Sequence, residues 1–117
     1  MNFGVGTDIV DVARFETLLT DVGFMERVFT PDERRYIGGR AATAAGIFCA
    51  KEALVKALGL GVFSAMHGRA EVCHMKSGRP YFVLHGDLAQ KCGEYELDLS
   101  IAHTDTVATA TVIWRTK

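Results

Sequence analysis

At 117 residues the chain reads as one domain spanning 1–117, long enough to bury a core without disulfides or a structural metal. It is 49% apolar and 23% charged with a formal net charge of -1, which excludes a global basic field for nucleic acid or anionic lipid. Three scattered cysteines (Cys49, Cys73, Cys92) lack zinc-ligand spacing, no apolar run nears about 18 residues and no signal peptide is evident, so the expectation is a soluble cytoplasmic protein with reduced thiols.

Asn2 to Val10 reads as a strand, with Phe3, Val5 and Ile9 on one face and Gly4, Gly6 and Asp8 on the other. Two glycines leave that second face almost bare, so a backbone or a ligand can approach it closely. Asp11 is expected to open a short helix with Val12, Phe15, Leu18 and Leu19 inward. Beyond a turn at Asp21 to Gly23, Met25, Val28 and Phe29 continue the packing surface. Thr30-Pro31-Asp32-Glu33 is a capping box with proline at the first helical position, and Gly38-Gly39 ends that helix.

An alanine-rich run from Arg40 leads into a central helix, where Ile47, Ala50, Leu54 and Leu58 recur at helical spacing before a C-cap glycine, Gly59. Phe48, Ala53 and Val55 make most of its remaining circumference apolar, the mark of a buried helix. A flexible loop is expected from Gly59 to Gly68. Strands are then expected at Ala70 to Lys76, Pro80 to Leu84, Leu97 to Ala102 and Thr106 to Trp114, with a hairpin at Ser77-Gly78-Arg79 and a short helix from Gly86 to Cys92. The pattern is α+β: a compact domain with helices packed on a mainly antiparallel sheet.

Within the central helix Glu52 and Lys56 stand one turn apart, opposite Leu54. A carboxylate and an ammonium on a buried helix are costly unless they are paired or bound to something charged. Asp8, on the face cleared by glycines, is the second acid expected to meet Glu52. Two carboxylates suit Mg²⁺, a hard ion that keeps waters and shares phosphate oxygens, and Lys56 adds a point charge for such a phosphate. On residue types alone this set competes with an ordinary surface ion pair at i,i+4 and a helix-capping Asp8. A metal-dependent phosphodiesterase and a non-catalytic binding module also stay open at this point.

Gly6-Thr7-Asp8-Ile9-Val10-Asp11-Val12-Ala13-Arg14 resembles the N-terminal G-x-D-[IV]-x-x-[IV]-x-R signature of the holo-acyl-carrier-protein synthases, the small 4′-phosphopantetheinyl transferases. Phe48 to Gly59 is similar to that family's F-x-x-K-E-A-x-x-K-A-x-G signature, with Lys51, Glu52, Ala53, Lys56, Ala57 and Gly59 in place. Phe29-Thr30 with Glu33 and Tyr36, Gly78-Arg79-Pro80, and Ser100-Ile101-Ala102-His103-Thr104 resemble three further elements in the same order.

The resemblance implies the family's fold and its reaction, transfer of the 4′-phosphopantetheine arm of coenzyme A to a serine of an apo acyl carrier protein, with adenosine 3′,5′-bisphosphate as the other product. It implies that Asp8 and Glu52 hold Mg²⁺ against the cofactor's diphosphate and that Lys56 and His103 meet its phosphates. Glu52, or a water it orients on the metal, accepts the serine proton. Gly59, Gly61, Arg79 and Pro80 are implied around the adenine and 3′-phosphate, and Arg14 at the acidic recognition helix of the carrier, with Arg27, Arg34, Arg35 and Arg40 available to extend that patch. A cyclic homotrimer with sites between subunits is implied as well. Two departures stand out. Ala102 replaces a second serine common in the family, and Val62 to Gly68 differ in composition from the usual loop.

Overall fold

The computed structural model describes residues 2–61 and 69–117. Its elements run β1 (Phe3–Asp11), α1 (Val12–Leu18), α2 (Val22–Val28), α3 (Pro31–Ile37), α4 (Ala41–Leu58), β2 (Ala70–His74), β3 (Pro80–Leu84), α5 (Gly86–Lys91), β4 (Tyr95–His103) and β5 (Val107–Thr116). The strands form two antiparallel sheets, one ordered β1-β5-β4 and the other the hairpin β2-β3. Of the loop expected from Gly59 to Gly68, residues 62–68 lie outside the described residues. No helix among the described residues is long and apolar enough to cross a membrane.

The bare face of β1 is filled by a helix. A Cβ on Gly6 would sit 2.1 Å from the Ala53 carbonyl oxygen and 2.5 Å from the Ala57 nitrogen, so α4 lies with its backbone directly on the strand. Only glycine permits that approach. The helix answers with small residues of its own, Gly46, Cys49, Ala50, Ala53 and Ala57, and β5 contributes the buried Ala108 and Ala110. Short side chains on both sides bring the two layers into close contact, so the α4–sheet interface gains by dense packing rather than by large apolar groups. Larger residues close the other flank of α4: Phe15, Phe24, Phe29 and Phe48 form an aromatic cluster with ring centroids 5.3–6.2 Å apart, holding α1 and α2 against the helix.

Local signals mark most boundaries. In α3 the Thr30 hydroxyl accepts from the Glu33 N–H (3.1 Å) and Glu33 Oε1 accepts from the Thr30 N–H (2.8 Å), completing the capping box. Gly59, at φ 67°, ends α4 with the Leu60 N–H reaching back to the Val55 carbonyl, a Schellman closure. Gly78, at φ 93°, makes the β2–β3 turn. Asp11 opens α1 as expected, as its N-cap and the last residue of β1, without a side-chain bond. One boundary departs from the expectations. Asp21, read as part of a turn, is the N-cap of α2, its carboxylate accepting from the Phe24 N–H at 3.0 Å.

The buried ion pair of α4 is also not the one expected. Lys51 and Glu33 are both fully buried, and the Lys51 ammonium donates to Glu33 Oε1 and to the Val28 carbonyl, each at 2.7 Å. Glu33 Oε2 accepts from the Val72 N–H at 2.8 Å. The pair therefore ties α2, α3, α4 and β2 together with its principal bonding groups satisfied, as burial of two charges demands.

Candidate active site

Asp8 follows Gly4 and Gly6 on the face of β1 that receives α4, so alternation aims its side chain at the helix. Cys49, Glu52 and Lys56 project from the same side of α4 at spacings of three and four residues. The two elements thus deliver Asp8, Glu52 and Lys56 to one place. Lys56 does not pair with Glu52. Its ammonium donates to Asp8 Oδ1 at 3.2 Å and to the Thr7 carbonyl at 3.1 Å, on the outer edge of the sheet. Burial and the facing Asp8 carboxylate push Glu52 above the usual carboxylate range, against the pull of Lys56 and Arg14. A buried carboxylate facing a second one forms a site that gains from a cation.

Beneath them lies the Cys49 thiol, fully buried and 3.5 Å from the Ala108 carbonyl. Burial, with Asp8 and Glu52 adding to it, raises its pKa to about 12, so it stays a neutral packing group. Arg14 flanks the cluster from α1, its guanidinium 5.4 Å from the centre of the Phe48 ring. Three of the other four candidate arginines are engaged within the chain: Arg34 donates to the Phe29 carbonyl, Arg35 pairs with Asp32, and Arg40 bonds the Ile37 and Tyr36 carbonyls. Among the arginines considered for a basic patch, Arg14 is thus the one placed beside the acids.

The remaining candidate residues stand elsewhere. His103 and Pro80 line a cavity of about 180 Å³ with Thr43, Gly46 and Ile101. This cavity is at β4, the sheet edge opposite β1, and against the other flank of α4. Its floor includes a feature the sequence reading did not single out, the Tyr36 and His74 rings stacked at 3.8 Å and 8°. Burial and the nearby Arg40 hold His74 below the usual histidine range. Gly59 and Gly61 are exposed at the far end of α4, roughly 20 Å along the helix from Gly46 at 1.5 Å per residue. Arg79 is exposed in the hairpin turn. A single chain therefore unites Asp8, Glu52, Lys56 and Arg14 on one edge, and Pro80 with His103 on the other, and does not bring the two groups together.

The donor set fits a hard divalent ion. Among the described residues no three His, Cys, Asp or Glu side chains form a metal-holding group, so Asp8 and Glu52 stand as a pair. Two carboxylates that leave room for waters and phosphate oxygens are what Mg²⁺ takes, and the Lys56 ammonium between Asp8 and the Thr7 carbonyl marks a point where positive charge is stabilised.

Comparison with known proteins gives the family. Residues 4–112 match the model of the 4′-phosphopantetheinyl transferase superfamily. A holo-(acyl-carrier-protein) synthase of Fusobacterium nucleatum is 37% identical over 97% of this chain and 98% of its own length. A Bacillus anthracis holo-(acyl-carrier-protein) synthase, solved in complex with CoA (3′,5′-ADP), superposes with a TM-score of 0.81 at 32% identity, covering 97% of this chain and 96% of that one. A synthase–CoA complex from Chronobacterium ammoniagenes gives 0.83 at 31% identity, covering 100% and 99%. The chain belongs to the 4′-phosphopantetheinyl transferase superfamily and, within it, to the holo-(acyl-carrier-protein) synthases.

Proposed function

We propose that this transferase moves the 4′-phosphopantetheine arm of coenzyme A onto a serine hydroxyl of an apo acyl carrier protein, leaving adenosine 3′,5′-bisphosphate, and that it works with Mg²⁺ between Asp8 and Glu52. The observation that carries the reading is the meeting of Asp8, Glu52 and Lys56 across the β1–α4 contact. When bound, the ion supplies charge neutralisation for the diphosphate oxygens. Lys56 adds a fixed positive charge to the same phosphates, and its flexible stem lets the ammonium follow the charge that builds on the leaving group. Glu52 is the proton acceptor for the serine: burial and the facing Asp8 raise its pKa, which makes its carboxylate a stronger base than an exposed glutamate.

Arg14 stands on the same flank as Glu52, so a carrier whose acidic helix docks on Arg14 brings its serine in beside the base. His103 and Pro80, on the opposite sheet edge, contribute to the cofactor's nucleotide end from a neighbouring copy. Support for such a copy comes from the outer face of the sheet, where Phe3, Val5 and Ile9 are 60–68% exposed beside Ile113. An apolar strip of that kind is what a second subunit covers, and a cyclic trimer closes the arrangement.

Intact-mass measurement tests the reading directly. Incubation of the protein with CoA, Mg²⁺ and apo carrier is expected to add one phosphopantetheine arm to the carrier, and EDTA to prevent it. Release of free phosphopantetheine with an unmodified carrier would instead identify a hydrolase. Light scattering at micromolar concentration is expected to give three chain masses, and a monodisperse monomer would remove the shared-site assignment.

A further inference from the structure

We infer that Lys56 is a built-in counter-ion that occupies the cation position at Asp8 until the cofactor's diphosphate draws it away, so that metal binding and cofactor binding are coupled through this one side chain. The inference rests on the metal reading above and goes beyond it, because it assigns Lys56 a role before any phosphate is present.

Two observations carry it. The ammonium bridges two oxygens on the metal side of the site, Asp8 Oδ1 at 3.2 Å and the Thr7 carbonyl at 3.1 Å, where the edge strand leaves that carbonyl available. Asp8 is mostly buried while Lys56 is half-exposed, so the carboxylate is fixed and the lysine is the mobile partner. A divalent ion must strip the lysine from Asp8 before it can take that oxygen at the short distances Mg²⁺ demands. A cofactor phosphate offers the ammonium an alternative anion on the same flexible stem. Each ligand therefore lightens the cost of binding the other, and the coupling is reciprocal.

Mn²⁺ binding followed by electron paramagnetic resonance, on the whole protein without CoA, tests this. Mn²⁺ takes the same oxygen donors as Mg²⁺ and is directly visible. Lys56→Met is expected to tighten Mn²⁺ by about three- to fivefold, the factor that corresponds to releasing one partly exposed ion pair. Arg14→Gln removes a charge that also acts on Glu52 but has no bond to Asp8, and is expected to change Mn²⁺ affinity by less than about half that factor. Lys56→Gln repeats the measurement should the methionine variant not fold. Failure of Lys56→Met to exceed Arg14→Gln, or any weakening of Mn²⁺ binding, would overturn the inference. Glu52→Gln separates it from the reading on which it rests: unchanged Mn²⁺ affinity in that variant rejects the metal site itself, whereas weakened affinity there with no gain in Lys56→Met rejects the counter-ion alone.

Discussion

Helix α4 carries two lysines five residues apart that meet opposite fates. Lys51 is fully buried against Glu33, and that carboxylate receives three donors, the ammonium and the Thr30 and Val72 amides. Lys56 is half-exposed, holds Asp8 by one oxygen and borrows a backbone carbonyl on a sheet edge. The lesson is one of saturation. A buried pair whose oxygens are taken up by the chain has little left to offer a ligand, and it serves to join α2, α3, α4 and β2. An acid pair with oxygens to spare, next to a mobile cation, is a place where a ligand can gain.

The sharpest way to break this contrast is to neutralise the acids of the second region. Glu52→Gln and Asp8→Asn keep the shape and remove the charge, and each is expected to lower kcat by about 10²–10³ or more, the scale of losing a main electrostatic contact to the transferred group. The fold is expected to survive, because Glu52 is partly exposed and Asp8→Asn keeps an oxygen that can accept from the Lys56 ammonium and the Cys49 thiol. Carrier modification by intact mass gives the rate and thermal melting gives the stability. Retention of kcat within tenfold in either variant would place the chemistry elsewhere.

Disruption of the first region reverses the pattern. Lys51→Met leaves Glu33 charged and buried with no cation, which is expected to cost about 3–5 kcal/mol in urea unfolding. Adding Glu33→Gln is expected to recover part of that loss, since the carboxamide oxygen still accepts from the Thr30 or Val72 amide. A penalty under about 1 kcal/mol for Lys51→Met would mean that water reaches the pair and that the saturation argument fails. Any activity lost in the double variant is expected to track stability and to return at lower temperature, unlike that of Glu52→Gln.

Much of this was legible in the residues. The glycines beside Asp8 on one strand face, the Thr30–Glu33 box, the glycine stop at Gly59 and the all-round apolarity of α4 are local signals, and each matches the structure. The pairing of charges was not, because it depends on where helices cross. Glu52 and Lys56 look like partners at i,i+4, yet β1 brings Asp8 to the lysine, while Lys51 finds Glu33 from another helix. The stack of Tyr36 on His74 joins α3 to the β2–β3 hairpin, and no spacing along the chain announces it. The split of the resembling residues between two sheet edges likewise comes from strand order, which puts β1 and β4 on either side of β5.

The gentlest probe uses protons, and it compares Glu52 with Glu71. Glu52 sits above the ordinary carboxylate value of 4.5 because it is desolvated and faces Asp8. The folded chain therefore holds that proton more tightly than the unfolded chain. This contribution is fully present below 4.5 and is lost as pH rises through the raised value, so above that value the ionised Glu52 is a net cost to stability. Glu71 sits below 4.5, held there first by the Thr30 hydroxyl at 2.7 Å and then by His85. Its contribution is present above 4.5 and is lost as pH falls through the lowered value. In metal-free buffer Glu52→Gln is expected to be slightly more stable than the parent at pH 7, with the gap closing toward pH 4. Glu71→Gln is expected to be less stable at pH 7, with that gap closing only below 4.5. Urea midpoints across this range measure both. Added Mg²⁺ should narrow the Glu52→Gln gap at pH 7, because an ion bound to the parent's two carboxylates offsets the repulsion that the glutamine removes. A gap indifferent to both pH and Mg²⁺ would show that Asp8 and Glu52 do not share a field, and the site would lose its physical basis.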